Sequence, residues 1–211
     1  MNETENQLFA TTTGEATAGN DSNVINVNLE IELRPETVLE KELLQIPEFI
    51  QGLFWGVPRY GHPEGEVYKH IKEVLDNIDR LSLDAQSRER LRLVALAHDT
   101  FKYMEDKSVP RDWSKHHSMC ARRFMEKYTD DSVVLDLIEH HDEAYYSWRS
   151  IHLLKQTTEG TRRFQKLLQI MGENLQLYYL FFKCDTRTGD KTQAPLKWFE
   201  NIVTDIELVQ W

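Results

Sequence analysis

From Leu33 onward, apolar residues recur at helical spacing along nearly the whole chain. No run of alternating β-branched residues bounded by turn residues argues for a sheet, so the pattern predicts an all-α domain. A first helix is expected over 36–53, interrupted near Pro47, because a proline inside a helix removes a hydrogen bond and clashes with the preceding turn. The stretch 56–63, with two glycines and two prolines, reads as a loop. A second helix is expected to open at Pro63, a residue suited to a first turn, with an apolar stripe of Val67, Ile71, Val74, Leu75 and Ile78 and with His70 beside it. Further helices are predicted over 84–104, 112–128, 131–141, 145–156, 159–183 and 195–209. Residues 1–30 are rich in Thr, Asn, Gly, Ser and Glu and lack sustained apolar periodicity. They are expected to form a flexible tail ahead of one helical domain over 31–211.

Composition narrows the class of function. A chain of 211 residues with 40% hydrophobic content suits one core. Its net charge of −10 and pI near 5.3 are opposite to the basic footprint of a protein that grips nucleic acid through phosphates, so non-specific nucleic-acid binding is not expected. A local positive pocket for a small phosphorylated ligand remains compatible with that sum. Cys120 and Cys184 show no metal-type spacing and read as reduced thiols. The N-terminus has no basic region followed by an apolar core, and the most apolar stretch, 175–182, falls far short of the ~20 residues of a membrane span. No membrane association is expected, and a cytoplasmic protein is.

The candidate chemistry lies in the histidines. Among the eight, His98-Asp99, His116-His117 and His140-His141-Asp142 form clusters. Leu91, Val94, Ala95 and His98 share one helical stripe, and Val134, Leu137, Ile138 and His141 share another, so imidazoles continue apolar faces at helix ends. A single histidine so placed is usually a hydrogen-bonded core residue. Several converging on one interior point satisfy each other best by sharing a cation, and nitrogen and oxygen donors without thiolate suit Fe, Mn, Co, Ni or Zn, with Mg possible.

At these residues the sequence resembles the HD-domain metal-dependent phosphohydrolases. The resemblance lies in His70 within Val67-Tyr68-Lys69-His70-Ile71, in Ala95-Leu96-Ala97-His98-Asp99-Thr100-Phe101-Lys102, in His140-His141, and in Asp185 within Phe182-Lys183-Cys184-Asp185. It implies a single HD-type helical bundle in which His70, His98, Asp99 and Asp185 hold a first metal. It further implies that His116, His140 and His141 add a second, with Asp99 bridging both. His116 is taken ahead of His117 because the small pair Cys120-Ala121 follows it; the choice between the two stays open. Two features depart from the family's pattern: Phe101 stands where a small residue is usual before the lysine, and no Gly-Tyr-Pro follows His140-His141, which disfavours a cyclic-dinucleotide substrate.

The resemblance implies one or two divalent transition metals and a metal-bound hydroxide that cleaves a phosphate ester of a nucleotide or other small phosphorylated compound, by phosphomonoesterase or phosphodiesterase chemistry. Asp99 would be central to catalysis. Lys102 matches the lysine of the HD-x-x-K pattern and would hold phosphate, although a lysine at a helix C-terminus is also explained by the macrodipole. Arg59 and His62, in the loop before His70, are candidates to complete the phosphate pocket. Glu64 stays unassigned, and the aromatic residues around Tyr145 and Trp148 are expected to be packing. Two alternatives are a di-iron oxygenase on the same fold and a non-catalytic metal- or nucleotide-binding regulatory module. The oligomeric state is not encoded in these patterns.

Overall fold

The computed structural model describes residues 27–211, and among them no strand forms; an isolated bridge joins Arg59 and His62. Most of the stretch expected as a tail, residues 1–26, lies outside the described residues. Its last residues fall in α1 (Leu29–Leu33), capped by Asn28, whose side chain accepts the Glu30 and Ile31 N–H groups; Leu29 and Leu33 are buried. The expected first helix is two helices, α2 (Val38–Leu43) and α3 (Pro47–Leu53). Thr37 caps α2, and Pro47 sits in the first turn of α3, where its missing N–H costs nothing.

The second expected helix begins later than Pro63. Residues 58–65 fold back through the Arg59–His62 bridge, and α4 (Val67–Ile78) starts only after them. Next comes α5 (Ala85–Ala97), capped by Asp84, which stops short of the expected 104 because the chain turns after His98. A 3-10 turn follows at Lys102–Met104. The expected 112–128 helix opens instead with a 3-10 turn at Trp113–Lys115, and α6 (His117–Met125) begins after it.

Then come α7 (Ser132–His140), capped by Asp131, and α8 (Glu143–His152). The continuous helix expected over 159–183 is broken at Gly172, φ 45°, into α9 (Thr157–Met171) and α10 (Leu175–Thr186). Apolar periodicity persists on both sides of the break, which is why the pattern alone runs through it. The last helix, α11 (Ala194–Ile202), holds Pro195 in its first turn and ends before the expected 209.

Helix α5 is the axis of the domain. Every residue from Leu91 to Ala97 is buried, which marks a helix covered on all sides, and α4, α7 and α10 pack against it. Helices α8 and α9 lie along one another, with α11 against α8 and α10. Inside the α5 layer, Arg92 is 1% exposed and pairs with Glu40, which is fully buried, at 2.9 Å. The same guanidinium donates to the carbonyls of Leu33 and Arg34 at 3.3 and 2.7 Å. Buried charges need this completeness of partners. The clamp fastens α1 and α2 onto α5, leaving its C-terminal end free to carry polar residues. No helix among the described residues is long and apolar enough to cross a membrane.

Candidate metal centre

The helices around α5 deliver their polar residues to one interior point. His98 closes α5 as its C-cap, and Asp99 follows in the turn. Close approach of α3 shapes that turn: a Cβ on Gly52 would lie 1.8 Å from the Thr100 carbonyl oxygen. Phe101 turns inward against Phe124 and Phe49, at 4.7 and 6.3 Å between ring centroids, and Lys102 turns back toward Asp99. The residue that departs from the HD pattern is therefore a core residue and does not obstruct the centre.

His70 from α4 and Asp185 from α10 face this turn. His70 Nε2 lies 2.9 Å from Asp185 Oδ1, 3.2 Å from His98 Nε2 and 3.6 Å from Asp99 Oδ2; His98 Nε2 lies 3.6 Å from both carboxylates. The other oxygen of Asp99 faces a second group. Oδ1 lies 3.4 Å from His117 Nε2 and 3.6 Å from His141 Nε2, which are 3.3 Å apart, and Asp142 Oδ2 stands 3.4 and 3.5 Å from the same two nitrogens. Two clusters of four donors thus share one carboxylate, with one of its oxygens in each.

The hydrogen bonds around the rings set their tautomers. His98 Nδ1–H donates to the Ala95 carbonyl at 2.9 Å, and His141 Nδ1–H donates to the Ile138 carbonyl at 2.8 Å. In the neutral rings the Nε2 atoms are therefore lone-pair acceptors aimed at carboxylates, an arrangement that repels itself until a proton or a cation is shared. Behind His70, the buried Nδ1 has no hydrogen-bond partner and stands 3.6 Å from the carboxylate of Glu64. Burial and the charge of Lys191 push His70 down to about 4, against the pull of Asp185. Burial would raise Asp99 and Asp185, yet Lys102 and His98 hold the first, and Lys191 and His70 the second, well below the usual carboxylate range. At neutral pH the centre presents a neutral His70 and ionised carboxylates, the forms that ligate metal. These donors fit one or two divalent cations of borderline character.

Burial works against protonation of His141, but Asp142 and Asp99 outweigh it and raise the imidazole to about 9. Without a cation, that proton balances part of the negative charge. Tyr178 fixes the segment that bears His141 and Asp142: its hydroxyl donates toward the His140 and His141 carbonyls at 3.1 and 3.2 Å and accepts the Ala144 N–H at 3.1 Å.

The expected site residues fall into two sets. His70, His98, Asp99, His141 and Asp185 converge, with Lys102 bonded to Asp99. His116 and His140 do not join them. His116 is the N-cap of α6; its Nδ1 receives the Ser118 N–H at 3.3 Å, and its Nε2 meets the Tyr146 hydroxyl at 3.1 Å and lies 3.4 Å from Glu105, so of the doublet it is His117 that faces Asp99. His140 points to Glu139, at 3.7 Å, and lines a separate cavity with His116 and Tyr146.

His62 lines the cavity over the centre but is bonded to Glu64 at 2.9 Å. Arg59 lies over the Trp55 ring, 5.8 Å from its centroid, and does not line that cavity. Sequence reasoning left out Asp142 and Lys191 and kept His117 open against His116. For Asp142 the signal was its adjacency to His140-His141, and for His117 it was membership of a doublet. Lys191 had none.

Above the centre is a cavity of about 310 Å³. Asp99, His141, Asp142, Asp185, Lys102 and Lys191 supply its polar floor, and Tyr60, Tyr145, Phe182 and Pro195 its walls. The size is at the small end of ligand pockets. No curated protein and no solved structure shows a significant match to the chain. A family model does: residues 67–171 match the HD domain, the span from the start of α4 to the end of α9. With that match, and with buried histidine and aspartate groups able to hold metal, the chain belongs to the HD-domain family.

Proposed function

We propose that the protein is a metal-dependent phosphohydrolase acting on a small phosphorylated compound, of which a nucleotide is the leading class. The observation that carries this reading is Asp99, whose two oxygens serve two different donor clusters beneath a cavity lined by Lys102. In this reading His70, His98, Asp99 and Asp185 hold one cation, and Asp99, His117, His141 and Asp142 hold the other. Bound cations would supply the charge that polarises a phosphoryl oxygen and acidifies a water.

The remaining work belongs to the chain's own residues. Lys102 orients Asp99 through their hydrogen bond and offers its ammonium to phosphate. Burial alone would lower its pKa, but Asp99 and Asp142 raise it, so the lysine stays charged. Tyr145, Phe182 and Pro195 provide an apolar wall for the organic part of the substrate. Main-chain bonds at His98 and His141 keep the imidazoles from rotating, so the centre is organised before substrate arrives.

The test combines elemental analysis of purified protein with hydrolysis of p-nitrophenyl phosphate and bis(p-nitrophenyl) phosphate, for wild type and Asp99→Ala. The reading expects about two transition metals per chain and ester turnover that disappears in Asp99→Ala. Wild-type protein that retains no metal after reconstitution, or turnover indifferent to Asp99, would overturn it.

A further inference from the structure

Lys191 belongs to neither donor cluster, yet its ammonium lies at the centre. Nζ donates to Asp185 Oδ1 at 2.8 Å and to the Asp185 main-chain oxygen at 3.2 Å, and the side chain lines the cavity together with Lys102. The segment that carries it is tied down on every side. Gly61 N–H donates to Asp190 Oδ1 at 2.6 Å, Gly189 N–H to Glu73 at 2.7 Å, and the Thr188 hydroxyl to the Asp185 carbonyl at 2.6 Å. Gln193 Nε2 bridges the Thr186 and Lys191 carbonyls at 2.9 and 3.0 Å. Gly189 sits at φ +52°, and a Cβ there would lie 2.9 Å from Pro63 Cδ, so only glycine lets the loop take this course. A lysine on a loose loop would wander; this one is fixed over the first donor cluster.

Two ammonium groups therefore stand in the cavity, Lys102 on Asp99 and Lys191 on Asp185. Each is bonded to a carboxylate that the proposed centre also needs for metal. Two divalent cations would already outweigh the three cavity carboxylates, Asp99, Asp142 and Asp185. The lysines then become surplus positive charge in a small, partly desolvated space, and an ionised phosphate oxygen is the partner such a charge lacks.

We infer that Lys191 binds a second ionised oxygen of the substrate and so makes the centre selective for phosphomonoesters over phosphodiesters. A monoester carries close to two negative charges near neutral pH, because its second ionisation lies near 6. A diester carries one, and it places a second organic group where an ionised oxygen would meet Lys191. The inference rests on the hydrolase reading for its catalytic consequence, while its binding consequence stands apart.

The experiment compares wild type, Lys191→Gln and Lys191→Arg after metal reconstitution. Metal content is measured first. Inorganic phosphate and dimethyl phosphate are then titrated calorimetrically, and kcat/KM is determined on p-nitrophenyl phosphate and its bis-ester. Lys191→Gln is expected to keep wild-type metal content, weaken inorganic phosphate at least about tenfold and leave dimethyl phosphate within about twofold. Its kcat/KM should fall at least about tenfold further on the monoester than on the diester, and Lys191→Arg should restore most of the phosphate affinity. Equal losses on both esters, no loss on either, or loss of metal from Lys191→Gln would overturn the inference, the last by reducing Lys191 to a prop for Asp185. Selective phosphate binding that depends on Lys191, in a wild type that cleaves neither ester, would sink the hydrolase reading and leave the lysine assignment standing.

Discussion

The two halves of the centre share Asp99 and differ in how the fold supplies everything else. In the first half, His70 and Asp185 project from within α4 and α10, and His98 continues the last turn of α5. In the second, each remaining donor sits at a helix end: His117 is the first residue of α6, His141 the C-cap of α7 and Asp142 the N-cap of α8. A mid-helix side chain has its direction fixed by the 3.6-residue period, whereas at a helix end a shift of one residue turns a side chain by about 100° around the axis. The first half draws two of its own donors from within helices, and the second draws all three of its own from helix ends.

The largest expected effect removes what the halves have in common. Asp99→Ala should lose metal from both clusters and lower ester turnover by about 10³-fold or more, as measured by elemental analysis and steady-state kinetics. Retention of one full metal equivalent would mean that the halves do not depend on a shared oxygen pair.

The next comparison acts on the cap-built half alone. His117→Ala should lose about one metal equivalent, while His116→Ala should keep both and lose about tenfold in rate, the scale of an outer contact. The reverse outcome would put the N-cap histidine back at the centre.

A smaller pair of changes tests the supports of each half. Asn77 donates to the Cys184 and Arg187 carbonyls at 2.9 and 3.0 Å and steadies Asp185; Tyr178 does the same for His141 and Asp142. Asn77→Ala and Tyr178→Phe should each cost about 1–3 kcal/mol in urea unfolding, because buried backbone groups lose their partners. Metal should then weaken in the first cluster for Asn77→Ala and in the second for Tyr178→Phe, which cation titrations of each variant would separate.

The smallest effect lies away from the centre. The Arg88 hydrogen bond to Glu36 outweighs partial burial and lowers the Glu36 carboxyl below its ordinary 4.5. A depressed carboxyl contributes stability that is present above its unfolded pKa and lost as pH falls through the folded one. Wild type should therefore exceed Glu36→Gln slightly in stability at pH 7, by under about 1 kcal/mol for so exposed a pair, and the gap should close below pH ~4. A gap that persisted at low pH would mean the pair contributes through packing.

The same division decides how much of the molecule could be read from its sequence. Helical class, the stripes on α4 and α7 and the convergence of His70, His98, Asp99, His141 and Asp185 follow from spacing and from the HD resemblance, because His70 and Asp185 lie within helices and His98 and His141 extend the stripes of α5 and α7. The break at Gly172 was hidden because apolar spacing continues across it. His117 could not be told from His116 because the helix start is set by a 3-10 turn and a histidine cap, which no apolar period encodes. Lys191 reaches Asp185 through a loop whose path depends on distant anchors at Gly61 and Glu73, and sequence neighbours say nothing of either.

Asp142 borders both the cavity over the centre and the separate cavity of about 330 Å³ lined by His116, His140 and Tyr146. It stands between the two chambers as a partition. A substitution at Asp142 therefore reshapes two chambers at once, whereas one at His140 reshapes the rear chamber alone.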